Sequence, residues 1–157
     1  MGSRQDAFFE AVASRQIPRI RIAGLVVQDG AVLVQRPADE PGSFFAFVGG
    51  EYEVGDTFES RLRTEFEEET NARVVEARYL FCVENHFVYK AKRFQQAEHF
   101  FLVTLDRREV ESREAHLEQH WLPLRTIGDV DLRPTVVRDA LATGAYLTET
   151  YLFQAAG

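Results

Sequence analysis

The chain has 157 residues, of which 45% are hydrophobic and 27% charged, and its formal net charge is -7. The length suits one domain with a single core, the composition is that of a globular chain rather than a disordered one, and the acidic balance argues against a broad electrostatic hold on nucleic acid. The one cysteine, Cys82, rules out an intrachain disulfide and a thiolate metal cluster.

No apolar run reaches the length of a membrane span, and the N-terminus lacks the apolar core of a signal peptide. The expectation is a single cytoplasmic domain over residues 1–157, with a helical extension over residues 1–17. An acidic protein of this kind can still act on phosphorylated small molecules when metal ions screen the repulsion.

In chain order, Ser3 and Asp6 resemble a capping pair that opens a short helix, with Phe8, Phe9 and Val12 as its apolar face and Pro18 as its stop. Strands are expected over residues 19–28 and 31–36. Asp29-Gly30 between them forms a hairpin, because both turn positions favour positive φ. After a loop over residues 37–43, residues 44–48 read as a short buried strand leading to Gly49-Gly50.

Thr57 caps the next helix, which ends near residues 70–71. Spacing of four places Phe58, Leu62 and Phe66 on one stripe suited to a sheet. Residues 74–89 read as strand, interrupted by the polar group Glu84-Asn85-His86, and residues 96–105 return as its hairpin partner. Residues 106–115 form a charged loop, and residues 118–122 a short strand carrying Trp121. A last helix spans residues 134–142, with proline in its first turn and Gly144 past its end. The expected class is α+β, a mixed sheet packed between helices as an α/β/α sandwich.

One stretch departs from what a stable helix asks for. Glu65, Glu67, Glu68 and Glu69 stand together, and like charges three and four apart repel by a few tenths of a kcal/mol, roughly, per pair. At 100° per residue, Glu65, Glu68 and Glu69 share one arc with Arg61, whereas Glu67 points away. A divalent cation would turn this repulsion into a site.

The spacing of this stretch resembles the Nudix box, G-x5-E-x7-R-E-U-x-E-E-x-G-U, where U is a bulky apolar residue. Gly50, Glu65, Phe66, Glu68 and Glu69 match it. Asp56 stands for a glutamate, Thr64 for the arginine, Asn71 for the second glycine and Ala72 for the last apolar residue. Asparagine tolerates the left-handed conformation that ends a helix, but threonine neither reaches as far as arginine nor carries charge. Phe45 to Gly50 (FAFVGG), Arg36 after VLVQ, and Trp121 in EQHWLPL extend the likeness to roughly residues 20–142.

The resemblance implies the Nudix fold and metal-dependent hydrolysis of a nucleoside diphosphate derivative, with Mg2+ or Mn2+ neutralising phosphate oxygens while water attacks phosphorus. It implies Glu65, Glu68 and Glu69 as metal ligands, with the Gly50 carbonyl as a fourth and any one of the three as the proton acceptor. Family members often add an acidic residue from a later strand. Glu98 is the first choice here and Glu84 the second, against the plain reading of Glu98 as a surface hairpin residue. His86 and His99 read as hydrogen-bonded structural groups more readily than as catalysts.

Arg36, Phe45 and Arg61 are the substrate-side residues. Arg61 either replaces the missing box arginine by pairing with Glu65 or Glu68, or lies along the surface as a solvated side chain. The alternative to an enzyme is a weak Nudix-fold module that binds a nucleotide or protein without turnover. Family habit adds a homodimer through the N-terminal helix or an exposed strand.

Overall fold

A computed structural model describes residues 2–156. Helix α1 (Arg4–Ser14) begins with a capping box in which the Ser3 hydroxyl accepts from Asp6 N–H and the Asp6 carboxylate accepts from Ser3 N–H. Strand β1 (Arg19–Leu25) follows, then the two-residue β2 (Val27–Gln28) and β3 (Ala31–Pro37). Asp29 and Gly30 both have positive φ, 51° and 73°, as the hairpin requires.

The expected single strand over residues 19–28 is broken at Val26. Here the chain leaves one sheet for another: Gly24 N–H bonds to Val48 O, and Leu33 N–H to Val26 O. Residues 44–48 are not the strand expected of them. Their partners change at each step, with Ala46 bridging to Gln35 and Phe45 to Leu132, so no ladder propagates. The strand forms one step later, as β4 (Gly49–Glu51).

Helix α2 (Phe58–Glu69) is capped by Thr57, which exchanges hydrogen bonds with Ser60. Strands β5 (Val74–Tyr89) and β6 (Lys92–Leu105) form the long hairpin. Glu84-Asn85-His86 does not interrupt β5, because each polar side chain finds a partner across the sheet or beside it. Strand β7 (Leu117–Pro123) carries Trp121, and α3 (Thr135–Thr143) ends at Gly144, whose φ of 83° is the left-handed cap a glycine supplies. The short strand β8 (Tyr151–Gln154), which local pattern did not announce, closes the chain.

Five strands form one mixed sheet in the order β4-β1-β6-β5-β8, and β2, β3 and β7 form a second, antiparallel one. One face of the larger sheet packs against α2, where Leu62 and Phe66 meet Ile22, Phe101 and Val103. The other face packs against α3, where Val137 and Leu141 meet Ala23, Phe81 and Phe100. Helix α1 covers the far end of that same face through Phe9, Val12 and Ala13 on Phe87, Tyr89 and Phe94. The α/β/α arrangement follows from alternation: neighbours such as Phe100 and Phe101 point to opposite layers. No helix among the described residues is long and apolar enough to cross a membrane.

Candidate active site

A cleft of about 1060 Å3 opens where the strand ends of both sheets meet α1 and α2. Its walls include Gly50 from β4, Glu65 and Glu69 from α2, Arg21 from β1, Gln35 and Arg36 from β3, and Glu98 from β6. The sequence that seemed costly for a helix therefore presents two carboxylates to one cavity. The stripe Leu62–Phe66 fixes their direction, because both residues are fully buried and α2 cannot roll.

Glu65 is 8% exposed and lies against Gly50, where any Cβ would collide with its carboxylate. This close approach, rather than a turn, is what requires glycine at position 50. Burial raises the Glu65 pKa, against the pull of Arg61, and the nearby charge of Glu68 raises it further. Glu69 accepts from Gln35 Nε2 at 3.0 Å, and Gln35 is itself oriented by Gln119, whose Nε2 donates to Gln35 Oε1 at 2.8 Å. Burial pushes the Glu69 carboxyl up to about 7. Two desolvated carboxylates in one cavity carry a strong preference for a cation.

Glu98 is 3% exposed, so the plain reading of it as a surface hairpin residue is overturned. Its Oε1 accepts from Arg21 Nη1 at 3.2 Å and its Oε2 from Asn85 Nδ2 at 2.9 Å. The β1–β6 register puts Arg21 opposite Glu98, which explains why a strand residue distant in sequence belongs to this cavity. Glu84, the second choice, bonds instead to His86 and Tyr151. His99 lies on the opposite sheet face from Glu98, stacked on Phe58 and bonded to the Tyr79 hydroxyl.

Other expected residues fall differently. Glu68 is exposed and is not part of the cleft wall, because its position on α2 turns it toward solvent beside Glu65. Among the described residues no three carboxylate or imidazole groups converge on one coordination point. Glu65 is held by Arg61, and Glu69 by Gln35. The donor chemistry nonetheless fits a hard divalent cation, since Glu65 and Glu69 present carboxylate oxygens to the same cavity and Glu68 stands one turn from Glu65.

Arg61 does not lie on the surface: it is 14% exposed and gathers three carboxylates. Its Nε donates to Asp56 at 2.7 Å, its Nη1 to Glu65 at 3.0 Å and its Nη2 to Glu53 at 3.1 Å. Of the two partners expected, the structure selects Glu65, not Glu68. Arg61 is absent from the cleft wall, so its contact is with the Glu65 carboxylate and not with a ligand in the cavity.

Arg36 does reach the wall, pairs with Glu118 at 2.6 Å and lies over the Phe45 ring at 4.6 Å. Phe45 itself turns inward against the α3-side core, and its neighbour Phe44 takes the place on the wall. Asn71 does not adopt a left-handed cap. Thr70 ends α2 in extended conformation, and Asn71 Oδ1 accepts from Glu111 N–H to hold the loop before β7.

Residues 18–140 match the family model described as NUDIX domain. The chain belongs to that family and, with it, to the Nudix pyrophosphohydrolases, which generally use divalent metal ions. No curated protein matches the chain. The fold is similar to the MutT NUDIX hydrolase from Burkholderia pseudomallei, with 22% identity and a TM-score of 0.63 over 80% of this chain and 97% of that one. It is also similar to the Nitrosomonas europaea NUDIX hydrolase, at 17% identity and a TM-score of 0.63 over 90% of this chain and 81% of that one. The MutT protein from Bacillus halodurans aligns over 86% of each chain at 14% identity, with a TM-score of 0.64.

Proposed function

We propose that the chain hydrolyses the pyrophosphate linkage of a nucleoside diphosphate derivative, such as a nucleotide sugar, a dinucleotide or a nucleoside triphosphate. The observation that carries this reading is the common cleft onto which Glu65, Glu69 and Glu98 open beside Gly50. Glu65, Glu69, Glu68 and the Gly50 carbonyl would hold Mg2+ or Mn2+, which would neutralise phosphate oxygens and lower the pKa of water.

The reaction adds water oxygen to one phosphorus and breaks the bridging P–O bond, so one proton must leave the water and the departing phosphate carries the electron pair. Glu98 is our choice of proton acceptor, because it is buried in the cleft with both oxygens already oriented by Arg21 and Asn85. Arg21 and Arg36 supply positive charge along the same wall.

A cytoplasmic setting accords with the lone free cysteine. Self-association accords with exposed Tyr151 and Phe153 on the edge strand β8.

The test is a panel of the three substrate classes with Mg2+, Mn2+ or EDTA, for the native protein, Glu69→Gln and Glu68→Gln. Release of nucleoside monophosphate or phosphate should require the cation and fall at least about 100-fold in Glu69→Gln. Turnover that survives EDTA or Glu69→Gln overturns the assignment. Nucleotide binding without turnover by the native protein would make the chain a binding module.

A further inference from the structure

The cleft extends well past the carboxylates, and its far end has a different chemistry. The β1–β6 and β5–β6 registers align Arg19 with Gln96 and Gln96 with Asn85, and the β5–β8 register aligns Asn85 with Gln154. These four residues form a polar row across the sheet on the α3-side face. Arg21 and Glu98 form the next row, about 7 Å away at two residues of strand rise. Arg19, Asn85 and Gln96 are all buried, at 8%, 6% and 7% exposure.

Arg19, Gln96 and Gln154 each make at least one hydrogen bond, although the buried Arg19 Nε has no hydrogen-bond partner and lies 3.4 Å from Glu51 Oε2. Arg19 Nη1 donates to Gln96 Oε1 at 3.2 Å. Gln154 Oε1 accepts from Thr135 Oγ1 and Val136 N–H, and its Nε2 donates to Ala155 O. Asn85 is different. Its Nδ2 donates to Glu98, and no donor among the described residues reaches its buried Oδ1. An acceptor so placed costs about 1–3 kcal/mol unless a ligand or water supplies a donor.

The cleft beside this row is aromatic. Phe8 and Phe9 of α1 and Phe87 and Tyr89 of β5 line the cleft. Phe8 remains 48% exposed there, with the Arg19 guanidinium carbon 5.1 Å from its ring centre. Helix α1 is held in this position at both ends. Asp6 bonds to the Tyr89 hydroxyl and to Lys90, and Arg15 forms a two-pronged pair with Glu51 at 2.7 and 3.0 Å. A half-exposed aromatic beside a buried, unpartnered acceptor suits a flat heterocycle bearing an N–H donor, whereas a bare sugar phosphate would leave Phe8 unused.

We propose that this far end is the nucleobase subsite, with α1 as one wall, Phe8 as the stacking surface and Asn85 Oδ1 as the acceptor that reads an N–H on the base edge. The proposal rests on the cleft being the substrate site. It narrows the substrate to one that keeps its base in the cleft next to the bond being cut, with a pentose bridging the two rows.

Binding of reaction-inert probes tests it without turnover. By titration calorimetry, AMP, GMP, CMP and UMP are compared with ribose 5-phosphate, for the native protein, Phe8→Ala and Asn85→Leu. At least one nucleotide should bind the native protein about tenfold more tightly than ribose 5-phosphate, and Phe8→Ala should shrink that ratio at least about fivefold. Asn85→Leu should shrink it similarly. Should that buried substitution prevent folding, Phe8→Ala decides alone, because Phe8 is half exposed. A native protein that binds ribose 5-phosphate as tightly as every nucleotide overturns the subsite, as does an unchanged ratio in Phe8→Ala. Loss of the base preference with cation-dependent hydrolysis retained condemns the subsite only. Absence of hydrolysis with the base preference intact condemns the hydrolase reading only.

Discussion

Gly50 and Arg61 both bear on the Glu65 carboxylate. A methyl group at position 50 would occupy the space of the Glu65 carboxylate, so, on the proposed metal-holding role of Glu65, Gly50→Ala should lower turnover about 100-fold by displacing that carboxylate. Urea denaturation would show a much smaller change in stability if the loss is local. Arg61 draws Asp56, Glu65 and Glu53 together, and these neighbours hold its guanidinium firmly charged. Arg61→Ala should reduce turnover about 10- to 100-fold, and adding Thr64→Arg should restore part of it by returning a cation to the helix. Metal titration of the same variants checks the reason. An active Arg61→Ala protein with unchanged metal affinity would rule the compensation out.

At the scale of elements, β6 carries two titratable neighbours into different surroundings. Glu98 faces the cleft, while His99 is half-buried against Phe58 and Tyr79 on the α2 side. Desolvation holds the His99 pKa below its ordinary 6.5. The unfolded chain therefore binds more protons than the folded one between those two values. The stability this ring contributes is complete above about pH 6.5 and is lost as pH falls through the folded pKa. Urea midpoints at pH 7.5 and 5.5 should differ more for the native protein than for His99→Phe. An equal drop in both would place the acid sensitivity elsewhere.

The molecule as a whole couples its core to its site through α2. Leu62 and Phe66 have no solvent exposure, and the same helix lifts Glu65 and Glu69 into the cleft. Leu62→Ala should cost about 2–5 kcal/mol in urea denaturation. It should also lower turnover in the surviving folded fraction, because the helix would lose the contact that sets its rotation. Activity unchanged per folded molecule would show that Phe66 alone is sufficient to hold α2.

Local chemistry in the sequence determined much of this. The Ser3–Asp6 cap, the Asp29-Gly30 hairpin, the Thr57 cap and the four-residue stripe of α2 depend on neighbours within a turn or two, so short-range steric and hydrogen-bonding rules suffice to read them. The Glu65–Glu69 spacing that points to the candidate site is local in the same way. Tertiary structure decided the rest. Strand order places Glu98 beside Arg21 across 77 residues of sequence, and no local pattern encodes such a pairing. Residues 44–48 lost their strand because each partner lies on a different element, and Phe44 rather than Phe45 faces the cavity for that reason. Asn71, whose type would tolerate a left-handed turn, instead bonds to the loop at Glu111. Helix α1 read as a plain extension because its cleft-lining face acquires meaning only against β5 and β6. Burial, which raises Glu65 and Glu69 and leaves Asn85 Oδ1 without a donor among the described residues, is a property of the packed chain alone, since it arises from the atoms that exclude water rather than from the residue itself.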